Sequence, residues 1–310
     1  MAQRIPVFII SYNRPGSVLN LCRALKFQGA YTAGIDAFLV QDGYRAADGS
    51  GPSQACFNWQ LCQGAFLSEF PNGTVLATDS SRNLGIPATM LRAYNAAFTE
   101  RGLPHAYFFE DDLIPGPRYL EALETMREGP DTSRMATWSA YGHTGPERRD
   151  PRPYAAASEL WAYGMFRGAW REINQWMTPF YAEWAKDPYI ARNQEAVFSL
   201  YLGCTVASLS CAHDAAFAAA AAALGLARVN TTLNFGVYVG AHGTSTTPDK
   251  YAEMHYGNMR LAPDDAIIPQ IPAMRIEEIA EQQATYHRML RRDFLRSHLT
   301  QLQRSKESRP

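Results

Sequence analysis

Three adjacent carboxylates, Glu110, Asp111 and Asp112, end the apolar run at 106–109. Carboxylates packed this closely suit a hard divalent cation held through oxygen, and a cation so held can in turn hold a diphosphate. Two other apolar runs end in polar groups. Ser11, Tyr12 and Arg14 follow residues 5–10, and Asp42 follows residues 35–40. Asp214 stands at the start of an Ala-rich segment, where a helix dipole keeps a carboxylate ionised and able to take a proton from a hydroxyl. Each group has a plainer alternative. The acidic triplet could be a solvated turn leading into the next helix, Asp42 a turn residue, Tyr12 core packing, and Asp214 an N-cap.

The elements that must position these groups follow from periodicity. β-Branched and aromatic runs at 5–10, 35–40, 74–78 and 106–110 read as short buried strands. Helical stretches at about 17–28, 55–70 and 87–100 separate them. Alternation of this kind gives an α/β fold, a mostly parallel central sheet flanked by helices, with ligands at the carboxyl ends of the strands. The first, second and fourth strands therefore deliver Ser11 to Arg14, Asp42 and Glu110 to Asp112 to one edge.

Beyond Asp112 the pattern predicts a helix over 118–128, a strand over 135–140, a charged loop over 142–153 and a strand over 160–166. A helix carrying Trp170, Ile173 and Trp176 follows, then an irregular aromatic stretch at 181–189 and a helix over 193–202. Residues 205–209 read as a strand, 213–225 as a helix by their alanine content, 227–231 as a strand and 234–243 as a Gly-rich loop. Prolines break up 244–272, and a long helix runs from Arg275 to about Gln303, basic in its second half. The expected division is a domain over 1–250 and a loop with a basic helical extension over 251–310.

Composition removes several classes. A formal net charge of −1 over 310 residues gives no general attraction to nucleic acid, and 46% hydrophobic content marks a folded chain. No apolar run is long enough to span a bilayer, and a strand follows the N-terminus directly, which leads to the expectation of a soluble cytoplasmic protein. The five cysteines form no CxxC pair and read as thiols rather than disulfides or zinc ligands.

The combined pattern resembles the GT-A superfamily of nucleotide-sugar glycosyltransferases over roughly residues 5 to 245. Ile9-Ile-Ser-Tyr-Asn-Arg-Pro15 is similar to the first-strand motif of family 2-type enzymes, Val40-Gln-Asp-Gly43 to their second-strand Asp, and Asn83-Leu-Gly85 to their Asn-x-Gly segment. Phe109-Glu-Asp-Asp-Leu113 resembles the Glu-Asp-Asp motif of the N-acetylglucosaminyltransferase I family, and the segment from Leu233 to Gly243 resembles that family's later Phe-Gly and Ser-His-Gly region. Ala212-His-Asp214 resembles the segment that supplies the base in inverting members, with His213 in place of the usual acid. The insertion over 179–211 has no counterpart in that pattern.

The resemblance implies a metal-dependent transferase moving a hexosyl or N-acetylhexosaminyl group from a nucleotide-sugar, UDP-sugars favoured, to a hydroxyl acceptor with inversion. Asp112 is the implied ligand for Mn²⁺ or Mg²⁺, with Asp111 and Glu110 assisting through ribose or metal-bound water, and His242 completing the metal shell or contacting phosphate. Asp214 is the implied base, with Glu195 and Asp187 in reserve. Tyr12 and Asp42 would serve the nucleoside and Arg14 and Arg82 the diphosphate, with Ser11 and Asn83 in the same donor-binding set. The acceptor could be a saccharide, a glycoconjugate or a modified nucleic acid base, and the C-terminal helix could join two copies. A nucleotidyltransferase would use the same sheet edge, though it would want a more basic Gly-rich loop than 11–17. A non-catalytic nucleotide- or nucleic-acid-binding module would bind without turnover.

Overall fold

The computed structural model describes residues 4–44, 53–77, 82–129, 131–142, 152–187, 191–241 and 246–307. The strands are β1 (Ile5–Ser11), β2 (Ile35–Gln41), β3 (Thr74–Ala77), β4 (His105–Glu110), β5 (Leu113–Pro115), β6 (Met135–Ser139), β7 (Tyr154–Ala156), β8 (Ala162–Phe166), β9 (Ala227–Thr231) and β10 (Gly236–Tyr238). The α-helices are α1 (Pro15–Lys26), α2 (Ser53–Glu69), α3 (Gly85–Tyr94), α4 (Tyr119–Arg127), α5 (Arg167–Trp184), α6 (Gln194–Leu200), α7 (His213–Ala223), α8 (Pro248–Glu253) and α9 (Ala273–Glu307).

Among the described residues, eight strands form one sheet in the order β3-β2-β1-β4-β8-β6-β9-β7. Strands β3, β2, β1 and β4 pair in parallel, as do β6 and β9, while β8 and β7 run against their neighbours. This is the mostly parallel, helix-flanked sheet expected from the alternation of elements. β5 and β10 make a separate antiparallel pair.

The period-two geometry of a strand divides the core. On β1, Val7 and Ile9 face a cluster with α1 and α4, whereas Phe8 and Ile10 face one with α3, α5 and α7. Leu39 and Phe38 repeat the split on β2, and Tyr107 and Phe108 on β4. Helix α1 starts with Pro15 at a position that needs no N–H, and buries Val18, Leu21, Cys22 and Leu25 at helical spacing. Helix α9 packs its first half on the sheet, Ile276, Ile279 and Ala280 joining the first cluster. Gln283 bonds both the N–H and the C=O of Arg228 on β9 (2.9 and 3.0 Å).

Three local expectations change. Helix α5 continues through Pro179 to Trp184, because Met177, Phe180, Tyr181 and Trp184 recur at helical spacing and are all buried. Residues 205–209 form no strand: Ala207 bonds with α9 instead, its carbonyl lying 3.0 Å from His287 Nδ1 and its N–H donating to the His287 carbonyl (3.4 Å). The short strands β7, β5 and β10 are three residues each, too brief to show a period. The described cysteines are all free thiols, and no described helix is long and apolar enough to cross a membrane.

Gly164 of β8 lies opposite Trp138 of β6, and a Cβ there would meet the Trp138 indole at 2.2 Å. The indole is held by a bond from Nε1 to the Leu123 carbonyl (3.0 Å) and by Phe166 (4.5 Å between ring centroids), so it has no room to yield. Gly164→Ala is therefore expected to lower unfolding stability by about 1–3 kcal/mol. Urea denaturation of the variant beside the wild type checks this; equal midpoints would refute the packing.

Candidate functional site

The carboxyl ends of β1, β2 and β4 open into a cleft of about 1280 Å³, bounded on its far side by the start of α7 and by β10. The sheet ladder continues past the strand ends. Asp42 N–H donates to the Ser11 carbonyl (3.3 Å) and Asp111 N–H to the Ile10 carbonyl (3.2 Å), which fixes both acids beside β1. Asp112 is fixed from the other direction: its carbonyl accepts from Val239 N–H (2.7 Å), and Leu113 pairs with Tyr238 across β5 and β10.

The acidic triplet divides by environment. Asp111 has no exposed surface; Ser11 Oγ donates to its Oδ2 (2.7 Å) and Arg14 pairs with its Oδ1. Asp112, 8% exposed, lines the cleft and shares Arg14 through Oδ2 (3.4 Å), while its buried Oδ1 has no hydrogen-bond partner among the described residues. Glu110 also lines the cleft. Burial pushes Asp111 up to about 6, and the Asp112 charge adds to this against the pull of Arg14. Burial likewise raises Asp112 and lifts Glu110 well above the usual carboxylate range, Glu110 helped by the charges of Asp112 and Asp214. These are the signs of a site short of positive charge. Together with the orphaned Oδ1, they fit a hard cation.

Asp42 is almost fully buried and works on the backbone. Its carboxylate accepts from Gly43 N–H (2.8 Å), Leu84 N–H (3.1 Å) and Gly85 N–H (2.5 Å), tying the end of β2 to the start of α3. Gly85 has φ +70°, a conformation that favours glycine. Asn83 Nδ2 closes the same loop on the Gly43 carbonyl (3.3 Å). Tyr12 and Tyr44 line this end of the cleft, 3.5 Å apart from Tyr12 hydroxyl to Tyr44 carbonyl, and burial raises the Tyr12 phenol. The two rings and the Asn83 amide supply surfaces suited to a planar nucleobase.

Asp214 lies inside the first turn of α7. The N-cap is Ala212, which offers no side-chain cap, so Asp214 is not the capping residue. Its Oδ1 accepts from Ala215 N–H (2.9 Å) at the positive end of the helix. His213 is buried in an aromatic cage, its Nε2 3.1 Å from the Tyr181 hydroxyl, and desolvation lowers it to about 4, so it is neutral at pH 7.

Of the residues singled out from sequence, Ser11, Tyr12, Arg14, Asp42, Asn83, Glu110, Asp111, Asp112 and Asp214 meet in this cleft. Arg82 and Glu195 are exposed and Asp187 is half-buried, and all three lie outside its lining. His242 lies outside the described residues. Sequence reasoning passed over Tyr44, Glu159, Arg192, Tyr238 and Lys250, all of which line the cleft. Tyr238 stacks on Trp161 (4.1 Å, 13°), and both pack on Tyr256 (4.9 and 5.2 Å), making an aromatic wall beside Asp112. Tyr44, next to the Asp42 turn, and Tyr238, within the 233–243 segment, carried a signal of position.

No protein-family model matches the chain, and no curated protein matches it. Similar solved structures include the crystal structure of Staphylococcus aureus TarS 1-349, at 13% identity and a TM-score of 0.41, covering 93% of this chain and 71% of that one. Another is glucosyl-3-phosphoglycerate synthase from Mycobacterium tuberculosis in complex with Mn²⁺, uridine-diphosphate and glucosyl-3-phosphoglycerate, at 8% identity and a TM-score of 0.38, covering 94% of this chain and 80% of that one. A further S. aureus TarS structure, at 13% identity and a TM-score of 0.35, aligns with 56% of this chain, which spans 30% of its length. Likeness at this level decides neither substrate nor activity, which rest on the cleft itself.

Proposed function

We propose that this chain is a GT-A glycosyltransferase that moves a sugar from a nucleotide-sugar, a UDP-sugar by motif resemblance, to a hydroxyl acceptor with inversion. The observation that carries this is Asp112, whose buried Oδ1 has no hydrogen-bond partner among the described residues, in a cleft that also holds Arg14 and Asp214. Asp112 would hold Mn²⁺ or Mg²⁺, which when bound offsets negative charge on the leaving diphosphate. Diphosphate oxygens, water and His242 are the groups that would complete the coordination.

The protein's own groups divide the remaining work. Tyr12, Tyr44 and Asn83 receive the nucleoside at one end, and Arg14, 35% exposed at its side chain, offers a guanidinium to phosphate. The Trp161, Tyr238 and Tyr256 wall suits the apolar face of a sugar ring. Asp214 accepts the acceptor's proton as its oxygen bonds the anomeric carbon; the bond from that carbon to the phosphate oxygen breaks, and its electron pair leaves with the diphosphate.

A panel of UDP-, GDP-, dTDP- and CMP-sugars, with and without Mn²⁺, tests donor and metal together by thermal shift and by slow hydrolysis. One nucleotide class should stabilise the wild type in a metal-dependent way, and Asp112→Ala should lose both the shift and the hydrolysis. No response to any donor would remove the metal-diphosphate model.

Asp214→Asn separates the base from donor binding. Donor affinity should stay within a few-fold of wild type while transfer falls by about 10²–10⁴, the usual contribution of a positioned base. Unchanged transfer would exclude Asp214 from the proton step, and product NMR reads whether the anomeric configuration inverts.

A further inference from the structure

We infer that Arg14 is a placeholder for the divalent cation: its guanidinium spans Asp111 and Asp112 until a diphosphate draws it away, so metal and nucleotide bind cooperatively. This rests on the proposed metal-diphosphate reading. Arg14 pairs with Asp111 Oδ1 and lies 3.4 Å from Asp112 Oδ2, which leaves Asp112 Oδ1 buried and without a partner among the described residues. One carboxylate thus presents one oxygen already shared with a cation and one unused. A divalent ion arriving at Oδ1 would sit beside the guanidinium and be repelled by it.

The placement of Arg14 allows it to move. It follows β1 in the turn before α1, outside the sheet ladder, and its side chain is 35% exposed, whereas Asp111 is fully buried and anchored by Ser11. A diphosphate in the cleft offers the guanidinium a fork of oxygens at least as well matched as the carboxylates. Transfer of Arg14 to phosphate then frees Asp112 for the metal. The coupling is reciprocal, so each ligand raises affinity for the other.

Free Mn²⁺ measured by electron paramagnetic resonance reads this without turnover. In the wild type, Mn²⁺ alone should bind weakly and UDP should tighten it. In Arg14→Gln, Mn²⁺ without nucleotide should bind about tenfold tighter or more, and the further gain from UDP should shrink. Arg14→Lys keeps a counter-charge for buried Asp111 but cannot bridge both acids, so it should tighten Mn²⁺ by less, and it carries the test if Arg14→Gln does not fold. Asp112→Asn should abolish binding in every case. Equal Mn²⁺ affinity in wild type and both Arg14 variants, with binding still lost in Asp112→Asn, would overturn the placeholder role and leave the metal site standing. Absence of Mn²⁺ binding in all proteins, with and without UDP, would overturn the reading beneath it as well.

Discussion

Three carboxylates converge at the end of β4 with one guanidinium to answer them, and the fold is arranged around that imbalance. Desolvation penalises each ionised acid, and every added negative charge raises the cost for its neighbours. Arg14 and Ser11 offset this for Asp111, which is therefore the acid that can be fully buried. Asp112 and Glu110 are left facing the cleft with less compensation. A purely structural turn would gain stability by replacing such groups with apolar or neutral ones. Beside an open cavity, such groups fit a ligand that brings positive charge.

Such a site works only if its charges are held still, and the surrounding hydrogen bonds do that. Asp42, deep and fully engaged with the amides of Gly43, Leu84 and Gly85, fixes the loop on one side. The β5 and β10 pair fixes Asp112 on the other, through its carbonyl and the adjoining Tyr238. Tyr238 is held in turn by Trp161 and by Tyr251, whose hydroxyl donates to the Tyr238 carbonyl (2.8 Å). Residues far apart in sequence therefore share responsibility for one carboxylate, and its geometry does not depend on the acidic turn alone.

The strand-end acids and the order of β1 to β4 were legible because each strand is a buried apolar run that stops at a polar residue. The Ala-rich helix α7 was legible from propensity, as was the position of Asp214 near its start. What the chain hides is contact across distance. Nothing local marks Glu159 as a cleft residue, since its neighbours are short strands and coil. The segment at 205–209 has strand-like composition, yet the backbone and imidazole of His287 on α9 take its hydrogen bonds. Residues 181–189 read as irregular, but burial of four aromatic or sulfur side chains carries α5 through Pro179 to Trp184 despite the lost helix bond. Asp42 shows the converse: its presence at the edge was readable, its engagement with three backbone amides was not.

The charges lining the cleft also bear on what can enter beside the donor. Arg14, Arg192 and Lys250 face Asp42, Glu110, Asp111, Asp112, Glu159 and Asp214, an excess of carboxylates. A nucleoside diphosphate and a divalent cation roughly cancel one another, so that excess persists after the donor is seated. Burial, with the Asp214 charge, already raises Glu159 against the pull of Arg228 and Lys250, so further negative charge at that end would add to the repulsion. On the C-terminal helix, Arg288 pairs with Glu281 (2.6 Å) and Arg291 Nε donates to the Cys204 carbonyl (2.5 Å), so these two cations are engaged within the protein. On the proposed reading, an uncharged hydroxyl-bearing acceptor would meet the carboxylates of the cleft and the Trp161 and Tyr256 rings without adding to that excess.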